Sequence, residues 1–127
     1  MPDQAPPLPA LHDLAYRIDG VVVTLAWRLA DRLDRRQASD AIFHVYQSRS
    51  ELSAPACDGC PLVFEKVASI PYVDTVDNRF TAVLTVDAGY RYAFKVRLST
   101  DGQPSEETET IRFDLPAEGS AGAGETQ

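Results

Sequence analysis

Residues 90–98 read Tyr-Arg-Tyr-Ala-Phe-Lys-Val-Arg-Leu, and this strict alternation leaves the chain few ways to fold. Tyr90, Tyr92, Phe94, Val96 and Leu98 fall at every second position, with Arg91, Ala93, Lys95 and Arg97 between them. Successive side chains of a strand point to opposite faces, so the segment predicts one apolar face and one charged face. The same period returns in residues 21–27, where Val21, Val23, Leu25 and Trp27 share a face. It returns in residues 41–48, with Phe43 and Val45 on one side and His44 and Tyr46 on the other. Residues 80–86 align Phe80, Ala82, Leu84 and Val86, and residues 108–115 supply Ile111 and Phe113. Asp19-Gly20 is a hairpin signal, so residues 14–18 should form the partner strand before it. Residues 63–70 read as a weaker strand, interrupted by Glu65-Lys66.

Seven short alternating strands separated by turn-rich segments predict an all-β fold, a seven-stranded antiparallel β-sandwich with Greek-key topology. Two inner faces then pack on each other, with Trp27 near the centre and its indole N–H seeking an acceptor. Residues 29–37 contain good helix formers, but two turns of helix are marginal without packing, so a solvated connection is expected there. Residues 1–10 carry four of the nine prolines and read as an extended spacer. Residues 116–127 are small, polar and glycine-rich and read as a tail, which leaves residues 11–115 as the ordered domain.

The net charge of −7 argues against nucleic acid as a partner, because phosphate requires a basic face. No apolar run approaches the roughly 20 residues of a membrane-spanning helix. The proline-rich start is not preceded by a basic segment and an apolar run of the kind that forms a signal peptide.

Few residues offer chemistry. Cys57 and Cys60 are the two cysteines, spaced Cys-Asp-Gly-Cys, and Asp58-Gly59 supplies turn residues between them. The spacing favours a structural disulfide clip in an oxidising compartment, with a redox-labile pair or a metal pair as alternatives. A thiol-disulfide catalyst sets its pair at a helix N-terminus, whereas Pro61 and a strand-like run follow here. Zinc wants four ligands, and beyond the cysteines only the distant His12 and His44 remain. The acidic run Glu106-Glu107-Thr108-Glu109 reads as charge protecting an edge strand. His44 and Tyr46 should project from the outer face of the third strand, near the outward cations Arg91, Lys95 and Arg97. Outward aromatics beside cations suit partner contact, so His44, Tyr46, Arg91 and Lys95 are the candidate binding residues. No catalytic group, cofactor or metal is implied.

The order of these segments resembles the fibronectin type III domain. Residues 9–16 look like its first strand, Val23-Thr24-Leu25-Ala26-Trp27 like its second with the core tryptophan, and Phe43-His44-Val45-Tyr46 like its third. Residues 86–96 are similar to the family's turn into a strand, with Val86 six residues before Tyr92. The resemblance implies that Tyr92 forms a tyrosine corner, its hydroxyl bonded back to nearby backbone. More narrowly, residues 57–64 (Cys-Asp-Gly-Cys-Pro-Leu-Val-Phe) resemble bacterial lipoproteins that carry one such domain behind a proline-rich spacer. In those proteins a lipid-modified cysteine precedes the spacer, and no such cysteine stands in this sequence.

The resemblance implies a non-catalytic, periplasmic or cell-surface module that binds an envelope protein or polysaccharide, or acts as a spacer. Two alternatives stand beside it. One is a thiol-disulfide redox protein using Cys57 and Cys60. The other is a subunit of a filament or assembly that docks through its spacer or a sheet edge.

Overall fold

Eight strands and one short helix follow one another along the chain: β1 (Leu11–Asp19), β2 (Val22–Leu29), α1 (Arg35–Ala38), β3 (Ile42–Glu51), β4 (Glu65–Pro71), β5 (Arg79–Thr85), β6 (Tyr90–Thr100), β7 (Gln103–Glu107) and β8 (Ile111–Leu115). The computed structural model describes residues 8–54, 61–100 and 103–117. One antiparallel sheet has the order β1-β2-β5; the other runs β4-β3-β6-β7, with β8 also paired to β6. The chain changes sheets after β2, after β4 and after β5, which is the Greek-key sandwich expected from the alternation. The expected seventh strand is β8, and β7, ahead of it, is an eighth strand that the alternation did not predict; both lie along one flank of β6.

The alternating apolar residues meet between the sheets. Val23, Leu25 and Trp27 of β2 are fully buried against Phe43 and Val45 of β3 and Phe94, Val96 and Leu98 of β6, all within one core cluster. Trp27 meets Phe43 edge-on, with ring centroids 5.4 Å apart. Its indole nitrogen has no hydrogen-bond partner among the described residues, contrary to the expectation from sequence. The buried cluster around it is built chiefly from hydrocarbon and aromatic side chains. Tyr72 and Leu33, outside the strands, are also buried in this core, as is Leu8 ahead of β1.

Three irregularities change which residues face out. In β1 the pairing passes from His12 opposite Arg28 to Ala15 opposite Ala26, so Asp13 and Leu14 together oppose Trp27. Asp13 takes a φ of 60°, a conformation that aspartate tolerates better than most residues, and Leu14 turns into the core. In β4 the pairing passes from Ala68 opposite Val45 to Lys66 opposite Tyr46, so Val67 is the extra residue. Along the last flank Glu107 pairs with Arg97 while Ile111 pairs with Phe94, again one residue out of step. Thr108 fills that break: it is buried, and its hydroxyl accepts from the Val96 N–H at 3.0 Å and donates to the Glu109 carbonyl at 2.8 Å. The shift lets Glu107 project to solvent while Ile111 and Phe113 still pack inward.

The connection after β2 is anchored as well as solvated. Leu33 is buried, and its N–H donates to the Tyr72 hydroxyl at 3.4 Å. One helical turn then forms over α1, where Asp34 accepts from the Gln37 N–H at 2.7 Å and the Gln37 side chain accepts from the Asp34 N–H at 3.0 Å. This reciprocal cap explains why four residues become helical without a long helix. The β1–β2 hairpin turns on Gly20 and Val21, with Gly20 at a φ of 66°, the pattern of a type II′ turn. Val21 is therefore outside the strand and exposed, not on the core face.

The two ends of the sandwich are distinct. At one pole β1 begins beside the end of β2, with Leu11 opposite Leu29 and the Leu29 N–H bonded to the Asn78 carbonyl. At the other pole β8 ends beside the start of β6, where the Gly89 N–H donates to the Leu115 carbonyl at 2.6 Å.

Candidate functional site

The outer face of the β4-β3-β6-β7 sheet gathers most of the polar and aromatic candidates. The unbroken β3–β6 register sets His44 opposite Arg97 and Tyr46 opposite Lys95. On the other side, His44 lies opposite Ser69 and Tyr46 opposite Lys66. Ser69 and Lys66 are three residues apart, and only the extra residue Val67 lets both reach this face.

His44 is held at both ring nitrogens. Nδ1 lies 3.1 Å from the Ser69 hydroxyl and Nε2 lies 3.0 Å from the Ser99 hydroxyl. Partial burial, with Lys66 and Arg97 adding positive charge nearby, holds the imidazole below its ordinary pKa. Neutral His44 has one donor and one acceptor nitrogen, so one serine accepts from it and the other donates to it. This arrangement fixes the ring. Neither nitrogen meets a carboxylate that would orient the ring, and the depressed basicity weakens proton abstraction. A mid-sheet position also leaves few backbone N–H groups free for an oxyanion.

Beside it runs an aromatic and cationic row. The Arg97 guanidinium lies 5.3 Å from the centroid of the Tyr46 ring, and the Lys95 ammonium 4.6 Å from that of Phe64. Arg97 Nε donates to Glu107 Oε2 at 2.9 Å, and its Nη2 binds the same oxygen. Lys95 Nζ lies 3.5 Å from that oxygen. The hydrogen bond from Arg97, with Lys95 close by, holds the Glu107 carboxyl below the usual carboxylate range. Glu107 thereby orients both cations, while the Tyr46 ring and His44 stand 6.4 Å apart beside them.

Of the four binding candidates from sequence, His44, Tyr46 and Lys95 come together. Arg91 does not: it pairs with Ser50 further along the sheet, and its Nε meets Asp114 Oδ1 at 3.2 Å. Strand β6 is 11 residues long, so one face holds residues too far apart to share a contact. Cys57 and Cys60 lie outside the described residues. Phe64, Lys66, Ser69, Ser99 and Glu107 were not among the candidates, because each depends on register or a bulge. Arg97 was visible as an outward cation; its place above Tyr46 needed the pairing. No cluster of three or more metal-ligating side chains occurs among the described residues.

The opposite sheet carries a depression of about 310 Å³ bounded by Asp13, Ala15, Ala26, Trp27, Arg28 and Arg79. Its floor is small because Ala15 and Ala26 face each other across β1 and β2.

The sheet orders and the Tyr92 hydroxyl, bonded to both backbone groups of Asp87, define a fibronectin type III-like sandwich. A solved structure of the twitchin kinase region from C. elegans, described as Fn31-NL-kin-CRD-Ig26, aligns with 89% of this chain at a TM-score of 0.57 and 13% identity. This chain spans 17% of that one, and the likeness shows the fold alone. Two further structures align less well. Pectate lyase PelI from Erwinia chrysanthemi, solved with tetragalacturonic acid, gives a TM-score of 0.49 at 18% identity over 81% of this chain and 28% of its own. A myokine gives 0.43 at 12% identity, over 88% and 99% respectively. No family model and no curated protein matches the chain.

Proposed function

We propose that this domain is a non-catalytic interaction module of a bacterial cell envelope, periplasmic or at the cell surface. It binds an envelope protein or polysaccharide through the outer face of β3 and β6. The observation that carries the reading is the row Tyr46–Arg97–Glu107–Lys95–Phe64. Two cations are held over aromatic rings by one shared carboxylate, with His44 fixed alongside by two serines. Preordered aromatic and guanidinium groups bind at little entropic cost, the property expected of contact residues. The extracytoplasmic placement rests on the resemblance of residues 57–64 to single-domain lipoproteins.

The test uses the domain and a His44→Ala/Tyr46→Ala/Lys95→Ala variant as paired baits on an envelope extract. A component retained by the first and lost by the second supports the reading. Equal retention by both moves the contact to the loops. Turnover of a defined substrate, abolished by a single substitution, overturns it.

A further inference from the structure

We propose that the outer edge of β5 pairs with β5 of a second copy of this chain, antiparallel and centred on Ala82, forming a weak two-fold dimer. The inference goes beyond the proposed function and uses a different surface.

Hydrogen bonding fixes which backbone groups of β5 are open. The Leu29 N–H donates to the Asn78 carbonyl at 3.0 Å, and the Val86 N–H to the Val21 carbonyl at 2.8 Å. Both pairs continue the β2–β5 register. Backbone groups alternate sides along a strand, so Phe80, Ala82 and Leu84 bond to β2. The N–H and C=O groups of Arg79, Thr81, Val83 and Thr85 therefore turn to the outer edge. The first of these N–H groups is capped by Asp77 Oδ1 at 3.2 Å. Those of Thr81, Val83 and Thr85 meet no described strand.

The other edges carry devices that discourage pairing. β1 has its bulge at Asp13–Leu14. β4 has the extra residue Val67, the Glu65-Lys66 pair, and Pro71, which lacks an N–H. The β7–β8 flank contains Pro104 and breaks register at Thr108. β5 reads Arg-Phe-Thr-Ala-Val-Leu-Thr, with no bulge, no proline and one charge. An unprotected edge of high β-propensity is a template for another strand.

The occupant that this strand fits best is itself. The register that uses all seven residues pairs Ala82 with Ala82, Thr81 with Val83, and Arg79 with Thr85 of the second copy. Odd residues then face odd residues, so every open N–H and C=O of Thr81 and Val83 meets its complement. Thr81 and Val83 form a β-branched cross-strand pair on the outer face, partly covering Val83, which is 67% exposed. The two Arg79 side chains end about 20 Å apart, beyond the screening length at physiological salt. The contact is isologous and closes on itself, because each β5 edge is taken up by the other, and the far ends of the joined sheet are the bulged β1 strands. One strand pair buries little area, so the dimer should depend on concentration.

Sedimentation equilibrium of the full chain over a concentration series tests this. The expected result is an apparent mass that rises toward twice that of one chain. Val83→Pro removes one outward N–H and no bond to β2, and Val83→Lys places a charge on the same edge. Both should remain monomeric, with Trp27 fluorescence reporting that they are folded. Val76→Lys, at the most exposed apolar residue off the edge, should dimerise as the parent does. If Val83→Pro does not fold, Val83→Lys decides alone. A parent chain that stays monomeric throughout, or a dimer unchanged by Val83→Lys, overturns the proposal.

Discussion

The hydroxyl of Tyr92 is bonded to both backbone groups of Asp87: it accepts from the N–H at 2.8 Å and donates to the C=O at 2.9 Å. The ring below it is buried and stacked on Phe94, with centroids 5.8 Å apart. One side chain thus ties the core to the turn that leads from β5 into β6. Tyr92→Phe keeps the ring and strips both bonds from partly buried groups. It should lower unfolding free energy by about 1–3 kcal/mol, measured by denaturant titration. A change within error would mean that water satisfies Asp87 equally well.

Acid should weaken the fold through His44. Its pKa in the folded protein lies below the unfolded value near 6.5. Between those two values the unfolded chain binds the extra proton, so stability rises with pH across that window. The contribution is complete above about 6.5 and is lost as pH falls toward the folded pKa. Glu107 adds a second loss in the same direction at lower pH, because Arg97 depresses its carboxyl. An NMR titration should place the His44 midpoint below that of an unstructured histidine. His44→Gln should flatten the stability slope just below pH 6.5 and leave the more acidic slope in place.

Replacing Trp27 should cost less when the substitute is aromatic than its complete burial implies. The indole N–H has no partner among the described residues, so Trp27→Phe should sacrifice volume and ring contact but no hydrogen bond. Phe43→Ala removes a fully buried ring that touches Trp27, Tyr72 and Phe80 and should cost about 3–5 kcal/mol. Thermal unfolding of both variants should rank Trp27→Phe as the milder. The reverse order would mean that the indole nitrogen contributes to stability.

The single helical turn offers a smaller test. Asp34→Ala removes the acceptor for the Gln37 N–H and should destabilise by about 1 kcal/mol. Hydrogen exchange should speed up at Gln37 and Ala38 and leave β3 unchanged.

What could be read from the sequence, and what could not, divides at the bulges. Alternation finds Val23, Leu25, Trp27, Phe43, Val45, Phe94, Val96 and Leu98 on the core face, because the register through β2, β3 and β6 is unbroken between them. It fails where an extra residue resets the period: at Asp13–Leu14, at Val67 and at Thr108–Thr110. The candidate site was legible to the same extent. His44, Tyr46 and Lys95 follow from period two alone. Lys66 reaches the face only because Val67 is extra, and Glu107 reaches Arg97 only because the chain slips at Thr108. The Glu65-Lys66 interruption was the visible trace of the first slip. Arg91 stands apart from the other candidates for a plainer reason, since a shared face does not mean a shared neighbourhood along an 11-residue strand.

The poles of the sandwich give it a mechanical character. β1 enters beside the end of β2, where the Ala30 N–H donates to the Ala10 carbonyl, and β8 leaves beside Gly89 in the other sheet. Tension drawn between those two points therefore runs nearly parallel to the strands. The ladders that resist it, β1 on β2 and β8 on β6, lie across the pull, so their bonds are loaded together in shear and do not peel one at a time. The stacked rings of Tyr16 and Phe113, 4.8 Å apart, bridge the same two strands from sheet to sheet. A domain strung by its first and last strands would hold its length under load until whole ladders give way at once.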